Sequence, residues 1–281
     1  IIMITKIKKI NFTSQKKNKN YFFKGPIFNI SNLLRELNNS DSENKKNYFG
    51  KDFSIIFEID QIILDQEHTV QNFKGDIIFE NNEIRDANLN ADFSSEKKLK
   101  FTVNTKEEGK IITLFLDKAK PAINQYSFIK GFENGSLDFY SIKEGNKSKS
   151  TLKIYDFKLK EVPALTKLLT LASLQGIADI LTGEGIRFDE FEMNYTNEGS
   201  LMEIEEIYAI GPAISILMNG YVEKNKVVSL RGTLVPATTI NKVIGSIPVL
   251  GKILVGQKTG EGVFGVSFKI KGPPKKLETT V

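Results

Sequence analysis

FSIIFEID at residues 53–60 and FKGDIIFE at residues 73–80 are the stretches that decide the fold of this chain. In both stretches apolar residues alternate with mostly polar ones, and side chains two positions apart lie on the same side of an extended strand. Phe57 and Ile59 therefore share one side, whereas Glu58 lies on the other. The alternation predicts antiparallel strands with one apolar face and one mostly charged face.

The same period of two recurs along the chain, and short polar turns separate the runs. Further strands are predicted around residues 86–93, 99–103, 112–116, 135–142, 151–159, 186–195, 201–208, 213–222, 227–234 and 262–271. Parallel strands need crossover connections of roughly a dozen or more residues. Because no such connection fits within residues 53–117, the spacing there predicts an up-and-down antiparallel meander.

Three stretches carry helix signals instead. Gly25-Pro26 and Asn29 to Ser31 are typical of a helix start and predict a helix that ends at Leu37. An apolar stripe at helical spacing predicts one long amphipathic helix over residues 163–181. A pair of threonines that can act as a cap predicts a short helix over residues 237–247.

These patterns predict a mainly β (α+β) fold. We expect antiparallel β-meanders, each with one apolar face, and a few inserted amphipathic helices. The chain is predicted to divide into an N-terminal helix and polar loop (1–50), a first antiparallel meander (51–160), and a C-terminal region (161–281) with the helix 163–181, strands, the short helix 237–247 and a final strand.

Composition narrows the classes of function. The chain has 281 residues, of which 40% are hydrophobic, and this content favours a packed core over disorder. The net charge of +5 arises from interspersed residues of both signs, a pattern that is too weak to indicate nucleic acid. A mild attraction to anionic lipid headgroups is an alternative interpretation of the scattered lysines. The absence of cysteine excludes a disulfide scaffold, a cysteine-ligated zinc and thiol catalysis.

No motif predicts chemistry. Residues 260–265 match the G-x-G-x-x-G pattern of nucleotide-binding folds, but a strand and not a helix is predicted after them, so we interpret them as a turn. His68 is the single histidine, and its polar surroundings predict a surface side chain. We therefore expect no catalytic residue, no metal, no cofactor and no enzymatic activity.

An ordered series of motifs resembles a known family. The series consists of Leu165-Thr166-Lys167-Leu168-Leu169, Leu171-Ala172-Ser173-Leu174-Gln175-Gly176, Leu181-Thr182-Gly183-Glu184-Gly185-Ile186-Arg187-Phe188, Gly211-Pro212, Gly232-Thr233-Leu234-Val235-Pro236, residues 247–256 and residues 262–268. In this order and spacing, over roughly the last 120 residues, the series resembles the AsmA-like C-terminal region of the YhdP/AsmA family, the bridge-like lipid-transfer envelope proteins of Gram-negative bacteria.

The resemblance implies a role in phospholipid binding and transfer. It implies a long curved antiparallel β-meander sheet that forms an apolar groove, in a membrane-anchored, periplasm-facing protein. The groove would carry phospholipid acyl chains between the inner and outer membranes, in support of outer membrane biogenesis and maintenance of the cell envelope. The inner-membrane anchor would then lie in a segment that is not present here, and we expect this chain to be part of a longer protein. We expect no span across a membrane within it and no nucleic acid as a partner.

Candidate groove residues are the apolar members of the alternating strands. They are Phe57, Ile77, Phe79, Leu89, Phe93, Phe101 and Leu114 in the first meander, and Ile216, Met218, Leu230, Phe264, Val266 and Phe268 in the second. The same residues would form a dry core if helices covered that face. Two other classes of function stay open: a structural or assembly module that binds envelope proteins, and an enzyme on a β scaffold that would depend on His68.

Overall fold

The computed structural model describes residues 13–17, 20–31, 52–124, 131–160, 162–236, 265–274 and 276–281. The chain divides into two compact units, a first unit Ile1–Gln125 and a second unit Tyr126–Val281. Strand accounts for 67% of the described residues and helix for 11%. These proportions confirm the predicted mainly β fold with antiparallel meanders and a few helices.

The strands of the first unit follow one another across the sheet in chain order. Its described elements are β1 (Thr13–Lys17), β2 (Asn20–Asn29), β3 (Phe53–Ile63), β4 (Thr69–Glu80), β5 (Glu83–Asp92), β6 (Lys98–Lys106), β7 (Gly109–Leu116) and the short helix α1 (Lys120–Ile123). From β3 to β7 every neighbouring pair is antiparallel, as the alternation predicts. Asn81 and Asn82 make the tight turn between β4 and β5 with φ values of 51° and 64°, which suits a hairpin turn of the type that follows the strand twist.

β2 differs from the prediction for this part of the chain. Gly25 and Pro26, expected to lead into a helix, lie inside β2, which pairs with β3 in parallel. Pro26 has no partner in that register, so its missing N–H breaks no ladder hydrogen bond. The Asn29 side chain accepts hydrogen bonds from the backbone and hydroxyl of Ser31, at 2.9 and 2.6 Å, and Ser31 is helical. The rest of the predicted helix lies outside the described residues.

The second unit is a run of antiparallel strands with two helices near its start. Its described elements are β8 (Glu133–Glu144), β9 (Lys147–Leu159), α2 (Pro163–Leu171), α3 (Gln175–Thr182), β10 (Ile186–Glu198), β11 (Leu201–Ile210), β12 (Ile214–Glu223), β13 (Val227–Pro236), β14 (Val266–Gly272) and β15 (Glu278–Thr280). Neighbouring strands pair in chain order. The predicted short helix 237–247 lies outside the described residues, whereas residue 266 begins a strand and not the helix that a nucleotide site needs.

The predicted single helix over residues 163–181 is wrong, because α2 ends at Leu171 and α3 begins at Gln175. Ser173 lies between them with φ of 59°. The N–H of Ser173 donates to the carbonyl of Thr170 at 3.0 Å, and the N–H of Leu174 donates to the carbonyl of Leu169 at 2.8 Å. These two bonds form a Schellman motif, which ends a helix.

A dry core closes one end of the first unit. Its buried residues are Ile59, Ile62, Leu64, Val70 and Ala91. Ile59 and Ile62 are both 2% exposed although they are three positions apart, so the alternation breaks at this point. In the neighbouring strand Asn72 has φ of 55°, and the register shifts between Gln71 and Lys74. This bulge rotates the strand ends so that both faces contribute to the core.

The corresponding core of the second unit contains aromatic stacks and the two helices. The rings of Phe132, Phe157 and Phe188 are stacked, with 5.4 Å between successive centroids. Leu169 of α2 and Leu181 of α3 are fully buried, and α3 contacts β10 while α2 contacts β15. α2 therefore lies against the last strand of this unit, and α3 lies against a strand that is paired on both sides.

Candidate functional site

The apolar face of the first unit is the set of apolar side chains that the register places on one side of β3 to β7; toward one end of the strands the same side carries Thr105 opposite Lys110. It consists of Phe53, Ile55, Phe57, Ile59, Phe73, Ile77, Phe79, Ala87, Leu89, Ala91, Leu99, Phe101, Val103, Ile112, Leu114 and Leu116. The parallel pairing of β2 with β3 adds Tyr21 and Phe23 to the same side. Every one of these side chains is apolar or aromatic, and the only hydroxyl among them is that of Tyr21.

One row of residues crosses the whole of this face. It is formed by Phe23, Phe57, Gly75, Leu89, Phe101 and Leu114, each directly opposite the next on six successive strands. Gly75 leaves no room for a side chain, because a Cβ there would lie 1.8 Å from the carbonyl oxygen of Asn88 and its φ is 142°. The row therefore has no side chain at its third position, between Phe57 and Leu89.

Aromatic contacts organise the β2 to β4 part of the face. Phe53 and Phe79 are stacked, with centroids 4.4 Å apart. The Phe57 ring lies 5.6 Å from Phe23 in a stacked arrangement and 5.5 Å from Phe73 in an edge arrangement. Such pairs fix side-chain orientation beyond what area burial alone provides, so this part of the face is a preformed aromatic surface.

Most of the candidate groove residues on this face are partly exposed. Phe57, Ile77, Phe79, Leu89, Phe101 and Leu114 are all half-buried. Phe93 lies just beyond the last residue of β5. Like Phe57 it is half-buried and packs against the dry core, and the Lys118 ammonium lies 5.8 Å from its ring centroid. Within the described part of the chain, the extensive contacts of β3 to β7 are with neighbouring strands and not with a helix or second sheet. Apart from Phe93, the first-meander candidates thus share one partly exposed surface.

The apolar face of the second unit brings together the described candidates of the second meander. Two neighbouring rows carry them: Ile216, Leu234 and Val266 in one, and Met218, Gly232 and Phe268 in the next. Leu230 lies on the same face, one row further, opposite Gly220 and Ile270. Ile216 and Phe268 are only 8% and 5% exposed, so they offer little surface to a ligand. Phe264 lies outside the described residues.

A polar cluster on the opposite face of the second unit was missed by the sequence patterns. Glu192 is its centre: its carboxylate lies 2.6 Å from Lys153 Nζ, and it accepts hydrogen bonds from the Tyr208 hydroxyl at 2.6 Å and the Asn194 amide at 2.8 Å. The sequence did contain a signal for it, because Glu190, Glu192 and Asn194 alternate with the apolar residues Phe191 and Met193 in β10. Because Lys153 lies on β9, Glu192 on β10 and Tyr208 on β11, the contacts of Glu192 with Lys153 and Tyr208 hold these three strands together.

Hydrogen bonds set the ionisation of this cluster. Partial burial alone would raise the pKa of Glu192, but the hydrogen bonds from Lys153, Tyr208 and Asn194 and the charge of Lys153 outweigh it, so this pKa lies below its ordinary value. Burial, then the hydrogen bond to Glu192, raises the pKa of Tyr208. The hydrogen bond to Glu192 raises the pKa of Lys153. Lys153 and Glu192 are thus held as an ion pair at neutral pH.

His68 is not the surface residue that its polar neighbours predict. Its side chain is 13% exposed, and its Nδ1 lies 2.8 and 3.0 Å from the two carboxylate oxygens of Asp65. The contact closes the turn between β3 and β4. Within the described residues, no three His, Asp or Glu side chains are grouped closely enough to hold a metal ion.

The fold and the faces define a mainly β protein whose sheets are apolar on one side and polar on the other. No protein-family model, curated protein or solved structure matches the chain. None of the helices in the described part of the chain has the length and apolar character needed to cross a membrane. The AsmA-like resemblance therefore stays a prediction.

Proposed function

We propose that this chain is a non-enzymatic segment of an AsmA/YhdP-like protein that binds phospholipid acyl chains along its apolar sheet face. The observation that carries the proposal is the row from Phe23 to Leu114, which crosses six strands without a polar side chain. Its members are half-buried rather than fully buried, so a ligand can still remove apolar area from water. Acyl chains are ligands of that kind, because they need no hydrogen-bond partner.

The energetics favour a flexible apolar ligand. Each buried methylene contributes about 0.8 kcal/mol, and transfer is roughly proportional to the apolar area removed from water. A surface without polar groups gives little positional specificity, since hydrogen bonds fix orientation in ligand sites. A bound acyl chain can therefore slide along such a surface, and this property suits transfer as well as storage.

The cellular role is proposed from the resemblance. A periplasm-facing segment, tethered to the inner membrane by a part of the protein outside this chain, would carry phospholipid toward the outer membrane or maintain the envelope. Hydrophobic transfer along the face replaces bond chemistry in this proposal, and no residue is catalytic.

Adjacent residues on β7 provide a matched test. Leu114 points to the apolar face, whereas Phe115 is 39% exposed and points to the opposite side. Mass spectrometry of organic extracts should find phospholipid in the purified parent and in Phe115→Lys, and should find it depleted in Leu114→Lys. Both variants add one positive charge at neighbouring positions, so net charge cannot explain a difference between them.

A second readout covers the case in which Leu114→Lys unfolds. A photoreactive phenylalanine analogue at position 101, on the apolar face, should cross-link to phospholipid, whereas the same group at Thr102, on the opposite face, should not. A folded parent that carries no phospholipid, or equal cross-linking from both positions, would contradict the proposal. The assignment would then move to a structural module that binds other envelope proteins.

A further inference from the structure

The polar face of the second unit carries an open cleft over β11 to β14. Its volume is about 740 Å³, and its walls include Asn219, Tyr221, Ser229, Arg231 and Lys269. Two irregularities shape it. The register between β11 and β12 shifts between residues 204 and 207, and residue 220 is a glycine with φ of 148°, where a Cβ would lie 2.0 Å from the carbonyl oxygen of residue 229.

Two cations lie side by side in this cleft. Arg231 of β13 is directly opposite Lys269 of β14, and like charges in direct cross-strand positions repel each other. The flanking members of their row are Asn219 on β12 and Thr280 on β15, so the row offers no carboxylate from β12 to β15. Neither cation makes an ion pair with a described residue.

Several other cations in the described part of this unit are paired. Lys153 lies 2.6 Å from Glu192, and Arg187 lies 3.2 Å from Asp156. The acids nearest to the cleft do not neutralise the pair: Glu205 on the β11 wall accepts a hydrogen bond from Thr196 and lies 3.8 Å from Lys149. Glu203, also on the β11 wall, is opposite Tyr221. The positive charge of the β13–β14 wall is therefore left for a ligand.

The donors lie in two neighbouring rows of the polar face. Nε of Arg231 donates to Oδ1 of Asn219 at 3.1 Å, which restrains the guanidinium and leaves its terminal N–H groups available to a ligand. A guanidinium binds two oxygens of one group at once, while a lysine adds a point charge. The hydroxyls of Ser229 and Tyr221 line the same cleft. These groups together match an oxyanion with several oxygens.

We propose that Arg231 and Lys269 form an anion-binding site for a phosphate group, supplied either as free phosphate or by a lipid headgroup. The site lies on the polar side of the second unit, opposite to that unit's own apolar face. Its test is therefore independent of acyl-chain binding, and either proposal can fail without the other.

The first experiment uses the full chain and inorganic phosphate, with chloride at equal ionic strength as the reference. Amide chemical shifts of β13 and β14 should change and saturate with phosphate. Arg231→Gln should weaken binding about tenfold or more, because a charge-assisted hydrogen-bond donor is lost. Arg187→Gln is the matched control, since it removes the same charge from the same unit, and its affinity should match that of the parent.

Lys269→Glu is a second variant that should remain folded, because it places a carboxylate opposite Arg231. This variant should abolish phosphate binding.

Flotation with phosphatidylglycerol-containing vesicles, compared with phosphatidylcholine vesicles, distinguishes a lipid headgroup from free phosphate. Vesicle binding that depends on Arg231 indicates a headgroup, and binding of inorganic phosphate alone indicates a soluble ligand. No saturable response in the parent, or equal affinities in Arg231→Gln and Arg187→Gln, would overturn the proposal.

Discussion

Asp65 shows how a single side chain determines a turn. Its Oδ1 accepts hydrogen bonds from the backbone N–H of Glu67 at 2.8 Å and of His68 at 2.7 Å. The His68 ring also contacts the Asp65 carboxylate. The His68 carbonyl accepts a hydrogen bond from the N–H of Leu64 at 3.0 Å. Because Leu64 belongs to the dry core, this turn fastens the closed end of the first unit.

We expect Asp65→Ala to destabilise the chain by about 1–3 kcal/mol at neutral pH, since it leaves partly buried donors without an acceptor. Partial burial would raise the pKa of Asp65, but the hydrogen bonds from Glu67 and His68 outweigh it and hold this pKa below the ordinary value of 3.8. The carboxylate therefore stabilises the fold above about pH 4, and this contribution is lost as the pH falls through the lower folded-state pKa.

Chemical denaturation from pH 7 down to pH 3 measures this effect. The difference in unfolding free energy between the parent and Asp65→Ala should narrow at the acid end of the range. Asp60→Ala, at an exposed position of β3, is the control and should change stability by no more than about 0.5 kcal/mol. A difference for Asp65→Ala that does not vary with pH would contradict the argument.

Individual residues were harder to predict than strand faces. The polar neighbours Gln66 and Glu67 suggest exposure for His68, yet the partner that buries it, Asp65, is set by the geometry of the turn. Likewise, Phe93 follows the last residue of β5, and its N–H donates to the carbonyl of Lys97 in the turn that comes next. Burial at the end of a strand depends on the path of the next turn, and the period of two does not contain that information.

At the scale of elements, alternation predicted the strands from β3 to β14 and their apolar sides. It succeeded because the side-chain period of two is a property of the strand itself. It failed for β2, whose Gly25 and Pro26 resemble a helix start and whose strand state depends on pairing with the distant β3. β15 was also missed, since three residues are too few to show a period.

The break between α2 and α3 is a second element that sequence periodicity missed. Apolar residues continue at helical spacing through the break, so the stripe alone predicts one helix. The chain turns there because Ser173 adopts a left-handed conformation, which glycine adopts at no steric cost and serine does not. The usual sign of a Schellman motif, a glycine after the last turn, is absent.

Ser173→Gly should therefore stabilise the protein. Relief of the left-handed strain is worth about 1 kcal/mol, which corresponds to a rise in Tm of about 2–4 °C for a domain of this size. Ser173→Ala keeps the Cβ and removes the hydroxyl, so it should not raise Tm. Thermal denaturation followed by circular dichroism compares the two variants. An equal rise for both would show that the hydroxyl, and not the backbone, is responsible.

At the scale of the whole molecule, the sequence predicted which residues share a face but not how deeply each is buried. In the first unit the same face is dry at the end closed by Leu64 and Asp65 and half-buried along the row through Leu114. In the second unit Ile216 and Phe268 are buried, whereas Met218, Leu230 and Val266 are half-buried. The first unit therefore offers more apolar surface to a ligand, and acyl-chain binding should depend mainly on it.

The length of the bound acyl chain provides the strictest test of acyl-chain binding by the first unit. The row from Phe23 to Leu114 spans five inter-strand spacings, about 24 Å at about 4.8 Å each, so lengthening an acyl chain should keep adding buried methylenes until this width is filled. Calorimetry with lysophospholipids of one headgroup and increasing chain length, below their micelle concentrations, should show a gain of up to about 0.8 kcal/mol per methylene. Leu114→Lys should flatten this dependence and Phe115→Lys should preserve it. An affinity that does not depend on chain length would mean that the headgroup is recognised and that the apolar face is not the binding surface.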